Sequence, residues 1–467
     1  MRAIACAAEG LDTVDPVTVS ATRTHHVTRL SALRALAASI QQKNAVPSIA
    51  LEWHGPCHTC RTRSRIYPSV PPLMNANAAA LSFQHVSSEL RLFCGDDSLV
   101  TLLRELGRLD CRRVAAVCGQ SVGASHLIEM LRTTLGPLLV GVCKTVQPNS
   151  PITAVEATAK ALKSLNADCV IALGGGSAAV TARAASILLA EQTPLENLCT
   201  TRDSNGQMRS PKLTKPKLPQ FAIPTTPSTA FVKAGSAVLD ASGHRLALFD
   251  PKTRAKAVIL HPAFLRTPPP ALVRAAALNT LCTAIEALSS PACDTVSEAM
   301  LKQAARLTAQ HLPHVEGDAP ARLHTAIAAV LCGRGTDNVG GGLASALGHA
   351  IGHRYRVDNG TVNAIVLPYT MRFNAAHVES TNARIVEALD LHGGATTSAL
   401  PADLRAIASL NAILDTLPVP RRLRDIGVAR TNLSSISREA MSDWFVSRNP
   451  RKVASSEEVT AVLEAAW

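Results

Sequence analysis

The stretch DCVIALGGGSAAVTARAASILLA, Asp168 to Ala190, decides how the rest of the chain is read. Cys169 to Leu173 is a short apolar run of strand composition. Gly174, Gly175, Gly176 and Ser177 follow, then an alanine-rich stretch of helical composition. Strand, glycine turn and helix start is the arrangement that cradles a phosphate. Glycine has no Cβ, so the backbone approaches a pyrophosphate closely and takes up positive φ. The first amides of the helix then point at the anion, helped by the helix dipole. A tight turn that merely packs a strand against a helix has the same composition, and these residues alone leave both readings open.

Working outward, strand-like and helix-like runs alternate. Leu90 to Cys94 predicts a strand and Leu99 to Leu109 a helix. Arg113 to Cys118 and Leu138 to Val142 predict strands, with a helix over Ala124 to Leu135 between them. Pro151 to Leu165 predicts a helix with a Ser150-Pro151 start signal. Such alternation implies a parallel sheet covered on its faces: an α/β, Rossmann-like dinucleotide-binding domain over residues 83–265, its ligand beyond the C-terminal strand ends. After a polar excursion from Glu196 to Leu218, Phe221 to Ile223 reads as a strand leading into PTTPSTA, Pro224 to Ala230. Hydroxyls at Thr225, Thr226, Ser228 and Thr229 suit phosphate or adenine groups, or equally a plain Ser/Thr turn. Val232 to Leu239 and His244 to Phe249 are β-like around an Ala241-Ser242-Gly243 turn, and Lys256 to Leu260 predicts a last strand.

Beyond Pro268 the β signals vanish. Helical periodicity covers Ala271 to Leu288, Thr295 to His311, Arg322 to Leu331, Gly342 to Gly352, Thr361 to Asn374, Ala402 to Leu417 and Ser456 to Ala466. This predicts a second, all-α substrate domain over residues 266–467.

Composition narrows the function classes. The formal net charge is +12, yet the basic residues are scattered and aromatics are only 3%, which argues against a nucleic-acid partner. The same charge suits an anionic substrate or a phosphate-bearing cofactor. No apolar run reaches the ~18 residues of a membrane span. The 12 cysteines are spread out, several within apolar runs (Cys118, Cys169, Cys282), as expected of buried thiols in a reducing, cytoplasmic setting. A CxxC at Cys57 to Cys60, beside His54 and His58, lacks a second ligand pair at zinc spacing and reads as incidental. Residues 1–82 read as a poorly ordered extension ending in a linker around Tyr67 to Leu73. Arg23, Arg29, Arg34 and Lys43 in an acid-free run suggest organelle import, which Glu9, Asp12 and Asp15 oppose.

The order of motifs resembles the iron-containing alcohol dehydrogenase superfamily, and within it the maleylacetate reductase branch. The motifs are GGGS at Gly174, PTT at Pro224, FDPKTRAKAVILHP from Phe249, NTLCTAIEAL from Asn279, GGLASALGHAIGH from Gly341, NAIVLPY from Asn363 and the tail NPRKVASSEEVTAVLEAAW from Asn449. The tail and VPRRLRDIG from Val419 are the parts most similar to maleylacetate reductases. The resemblance implies an oxidoreductase, often a homodimer, that moves hydride between NAD(H) or NADP(H) and a small alcohol or carbonyl substrate, anionic ones included. It further implies that Gly174, Gly175, Gly176 and Ser177 hold the pyrophosphate, with Thr225, Thr226 and Ser228 on the phosphates or adenosine.

Departures from the family pattern bear on the chemistry. Metal-dependent members hold their ion with an Asp and a His four residues apart, plus two later His. Here those positions carry Asn279, Thr283, Ser345 and Asn359, none a strong ligand for a divalent transition metal. No bound metal is therefore expected, as in maleylacetate reductases, although those usually keep a His where Thr283 stands. Val180 replaces an acid after GGGS, and Thr229-Ala230-Phe231 replaces the usual GS-E after PTT. Gly119 stands where an NAD-selecting Asp ends a strand, which leaves NADP open with Arg112 or Arg113 near it. His349 is the family histidine that survives near the reaction centre, with His353 one turn on. A histidine relays a proton to a developing alkoxide; His353, Tyr355 and Tyr369 are the other candidate donors. The alternative is a repurposed scaffold, either a non-redox lyase, cyclase or isomerase or an inactive relic.

Overall fold

The computed structural model describes residues 82–204, 208–391 and 400–467. The CxxC segment and nearly all of the predicted N-terminal extension lie outside the described residues. Ten strands occur among them: β1 (Leu92–Cys94), β2 (Val114–Gly119), β3 (Leu139–Val146), β4 (Cys169–Gly174), β5 (Thr201–Arg202), β6 (Met208–Arg209), β7 (Gln220–Pro224), β8 (Gly235–Leu239), β9 (Arg245–Phe249) and β10 (Ala255–Leu260). Six of them form one sheet in the order β1-β10-β7-β4-β2-β3, every pair parallel.

Side-chain alternation explains why helices cover both faces. On β4, Cys169, Ile171 and Leu173 join one apolar layer with Leu102 and Leu131 from the helices Ser98–Arg108 and His126–Leu135. Val170 and Ala172 join the opposite layer with Leu162 and Ala182 from the helices Ile152–Ser164 and Gly176–Glu191. A strand buried on both sides reads as a continuous apolar run, which is what Cys169 to Leu173 is. The chain reverses its direction of travel across the sheet between β2 and β4. In such sheets the ligand crevice opens beyond the strand ends at that reversal.

The helical half packs Pro270–Leu288, Thr295–His311, Ala319–Val339, Leu343–Tyr355, Asn359–Asn374, Glu379–Leu389, Ala402–Asp415, Leu433–Met441 and Ser456–Ala466 around one core. The helix predicted over Arg322 to Leu331 runs on through Gly333 and Gly335. These glycines permit close packing rather than ending the helix: a Cβ on Gly333 would sit 2.9 Å from the Thr229 carbonyl, and one on Gly335 2.7 Å from Leu301 Cγ. Conversely, the helix predicted from Ala124 to Leu135 breaks at Ser125, whose extended backbone (ψ 164°) starts a fresh helix at His126. Glu379–Leu389 and Leu433–Met441 are helices that the sequence reading leaves out, although their buried residues, Ile385, Val386 and Leu389 in one and Leu433, Ile436 and Ala440 in the other, recur at helical spacing. The two β-like runs after the PTT motif form β8 and β9, an antiparallel hairpin outside the main sheet. Pro270–Leu288 is by length and composition apolar enough to cross a membrane, but 67% of its apolar window is buried inside the protein.

Candidate active site

The glycine turn and the PTT loop meet at the C-terminal ends of the adjacent strands β4 and β7. Gly174 has φ +140°, a conformation that side chains rarely adopt. The Thr225 amide donates to its carbonyl at 2.7 Å, locking the two loops together. A Cβ on Gly176 would fall 2.7 Å from Ser228 Oγ, and one on Gly175 3.3 Å from Thr226 Oγ1. Gly174 is thus set by its backbone conformation, while the hydroxyls of the neighbouring loop crowd Gly175 and Gly176. Thr225 and Thr226 are buried, while Gly175, Gly176, Ser177 and Ser228 remain partly open at the mouth of the helix Gly176–Glu191. All seven residues predicted to hold a dinucleotide are brought together.

Arg183, which sequence reasoning passed over, anchors the next stretch of chain. Fully buried on the Gly176–Glu191 helix, it donates to the carbonyls of Ala230 (3.0 Å) and Lys233 and to Ser236 Oγ (3.1 Å). Burial, with the nearby Arg254 charge, pushes its guanidinium down to about 9. An arginine inside an alanine-rich helix was the available signal.

Gly119 ends β2 at the same edge of the sheet as the cradle. Arg112 and Arg113, proposed as its helpers, precede β2 and lie at the other end of the strand, about 20 Å away for six residues. Their amides bond Asp168 (2.8 and 2.9 Å), and the Arg113 side chain bonds the Leu165 and Asn166 carbonyls. That expectation is corrected: strand direction puts them out of reach. The basic group at the Gly119 end is Lys144 of β3, an exposed side chain beside Gly123.

The helical half faces the cradle through Pro270–Leu288, where Thr280 Oγ1 donates to the Pro227 carbonyl at 3.2 Å. Asn279 and Thr283 are half-open positions on the mostly buried C-terminal half of this helix. The side-chain amides of Asn279 and Asn363 meet at 3.0 Å. Ser345 turns its hydroxyl to Glu286, a buried carboxylate that also accepts the amides of Ala344 and Ser345 at the start of the helix Leu343–Tyr355. Burial raises the Glu286 carboxyl above its ordinary range against those hydrogen bonds. Two amides, two hydroxyls and no anionic or imidazole donor do not fit iron. Among the described residues, no three His, Cys, Asp or Glu side chains cluster to hold a metal.

His349 lies on the Leu343–Tyr355 helix with Nδ1 2.7 Å from Asp443 Oδ2 and its ring 5.5 Å from that of Phe445. Arg245 of β9 reaches the same carboxylate oxygen at 3.8 Å. Burial, then the Arg245 charge, lowers the His349 imidazole below its ordinary 6.5, with Asp443 opposing. His353, on the same helical face, sits against the β8–β9 turn: a Cβ on Gly243 would be 2.6 Å from its Nε2. Tyr355, six residues from His349, is rotated about 120° around the helix, and its hydroxyl accepts from Asn432 at 2.8 Å. Tyr369 accepts from Arg422 at 2.7 Å in a separate cavity of about 250 Å³ lined by Arg372, Asn411 and Arg421. The structure therefore groups His349 and His353 with each other, and neither tyrosine with them. Asp443 and Arg245 were missed because nothing in their spacing links them to His349.

Residues 90–262 match the iron-containing alcohol dehydrogenase family, and residues 274–467 match the C-terminal part of that family. The lactaldehyde reductase of Escherichia coli (strain K12) is 30% identical over 332 residues, 69% of this chain and 83% of that protein. A crystal structure of 1,3-propanediol oxidoreductase superposes with a TM-score of 0.74 at 23% identity, covering 81% of this chain and 98% of the other. Maleylacetate reductase from Rhizobium sp. strain MTP-10005 has a TM-score of 0.67 at 23% identity, covering 83% and 98% respectively. These structures share the fold.

Proposed function

Because the chain belongs to the iron-containing alcohol dehydrogenase family, we propose that it is an NAD(H)- or NADP(H)-dependent oxidoreductase acting on a small alcohol or carbonyl substrate without a bound metal. The observation that supports nucleotide binding is the interlock of Gly174–Ser177 with the PTT loop, which brings Ser228 Oγ against Gly176 and opens onto helix amides. Gly175, Gly176, Ser177 and Ser228 would hold the pyrophosphate, and the nicotinamide supplies or accepts the hydride. The donor chemistry of Asn279, Thr283, Ser345 and Asn359 supports working without a metal.

His349 handles the proton. Its Nδ1–H is committed to Asp443, so Nε2 is the nitrogen that exchanges a proton with the substrate oxygen. Burial and then the Arg245 charge favour its neutral form, which accepts that proton during alcohol oxidation and returns it during carbonyl reduction. Asn279 and Thr283 present neutral polar groups on the helix joined to the PTT loop, suited to orienting a substrate oxygen.

A fluorescence titration tests the reading. Purified protein should enhance NADH or NADPH emission in the presence of a chelator, and an aldehyde and ketone panel that includes maleylacetate should then be reduced without added metal. Absence of binding to either nucleotide rejects the proposal. Activity that appears only on adding a divalent metal rejects its metal-free part.

A further inference from the structure

We propose that Arg245, carried by the β8–β9 hairpin, is a positioning residue that acts through Asp443 to hold the His349 imidazole neutral and in a single tautomer. This rests on the reading of His349 as the proton-transfer group.

The argument is one of charge counting in a closed space. Asp443 Oδ2 is shared between His349 Nδ1 at 2.7 Å and Arg245 Nη1 at 3.8 Å. Its other oxygen accepts the Phe445 amide at 2.9 Å, which fixes the carboxylate as the cap of its own turn. The side chains of Asp443 and His349 are only 10% and 16% exposed. A buried carboxylate demands a cation. Were His349 the only partner, it would be driven to the imidazolium. Arginine stays protonated at all working pH values, so Arg245 supplies that charge and releases His349 from supplying it. Arg245 Nη1 is itself buried without a hydrogen-bond partner, so it meets Asp443 as a charge rather than as a rigid fork. Its guanidinium lies 5.8 Å from the Trp444 ring centroid, which steadies it beside the turn.

Other ionisable groups on the elements around His349 are engaged elsewhere or exposed. His244 is tied to Asp240, Arg354 to Ser435, Arg448 to the Val339 carbonyl and Arg274 to Glu316, and Arg438 is exposed. Glu286 caps the start of the histidine's own helix, Glu439 and Arg372 are exposed, and His353 abuts the hairpin turn. Arg245 comes from the α/β half and Asp443 from the helical half, so the arrangement exists only when the hairpin is docked.

Long-range ¹⁵N–¹H spectra of the full chain give the tautomer and titration midpoint of His349, assigned by its loss in His349→Gln. Arg245→Met should move the midpoint up by about one pH unit, a tenfold change in protonation. Asp443→Asn should move it down and abolish the fixed Nδ1–H tautomer, and Arg245→Lys should restore most of the native value. The acid limb of alcohol oxidation should shift in the same opposite senses. An unmoved midpoint in Arg245→Met, or a shift of the same sign in both variants, overturns the proposal. Circular dichroism and a cooperative thermal melt of each variant serve as the folding control, and nucleotide titration is read separately. Opposite midpoint shifts in a protein that binds neither nucleotide would keep the Arg245 assignment and reject the oxidoreductase reading.

Discussion

Thr280 Oγ1 lies 3.2 Å from the carbonyl of Pro227 and 3.2 Å from that of Ala276 in its own helix, and the proton it shares between them ties the helix that carries Asn279 and Thr283 to the loop that carries Thr225 and Thr226. Thr280 has no solvent exposure, so its bond has no competing water. Thr280→Val keeps the shape and leaves the Pro227 carbonyl unpaired, costing about 1–3 kcal/mol. Turnover should fall several-fold while nucleotide affinity changes little, because the two faces of the site lose their register. Steady-state kinetics beside a nucleotide titration check this; a selective loss of nucleotide affinity would contradict it.

The cradle gives a sharper expectation. Gly174 holds φ +140°, so Gly174→Ala should destabilise the protein by about 1–3 kcal/mol through backbone strain. Gly175→Asp adds a bulky anion against Thr226 and should abolish NAD(P)H binding while leaving the fold intact. Thermal melts and fluorescence titrations separate the two effects.

Nucleotide preference should be tunable at Gly119. A Cβ there meets only the Val146 carbonyl at 3.6 Å, an ordinary contact, so a side chain fits. Gly119→Asp places a carboxylate at the end of β2 and should weaken NADPH relative to NADH by about tenfold or more. The ratio of the two dissociation constants is the measurement, and an unchanged ratio would show that the ribose lies elsewhere.

Stability should fall on mild acidification. Burial holds His261, His311 and His349 below their ordinary 6.5. Between the folded and unfolded values the unfolded chain binds more protons, so stability rises with pH there. The contribution is therefore present above pH 6.5 and is lost as pH falls through the folded values. Asp443 acts in the same sense lower down: burial would raise it, but the His349 bond, the Phe445 amide and Arg245 hold it below the usual 3.8. Melting temperatures at pH 7.5 and 5.5 should show the drop, and His349→Gln should shrink it.

Much of the α/β half was legible in the sequence because each of its signals is local. Apolar runs such as Cys169 to Leu173 mark strands buried on both sides, and the glycine turn marks where one strand feeds a helix. The predicted helices Thr295 to His311 and Ser456 to Ala466 match in both bounds, since Asp294 caps the first and Ser455 precedes the second. Glycine misled where it serves packing: Gly333 and Gly335 look like stops and are contact points for Thr229 and Leu301.

By itself, then, the sequence determined the strand–turn–helix cradle, the division into sheet and helices, and the absence of strong ligands at Asn279, Thr283, Ser345 and Asn359. These follow from composition and from spacing along one element. Only the tertiary structure decided that Arg112 and Arg113 lie at the far end of β2, that Tyr369 belongs to another cavity, and that Arg245 and Asp443 converge on His349. Such relations join residues far apart along the chain, Arg245 to Asp443 among them. They are set by strand direction and helix packing, which no local pattern encodes.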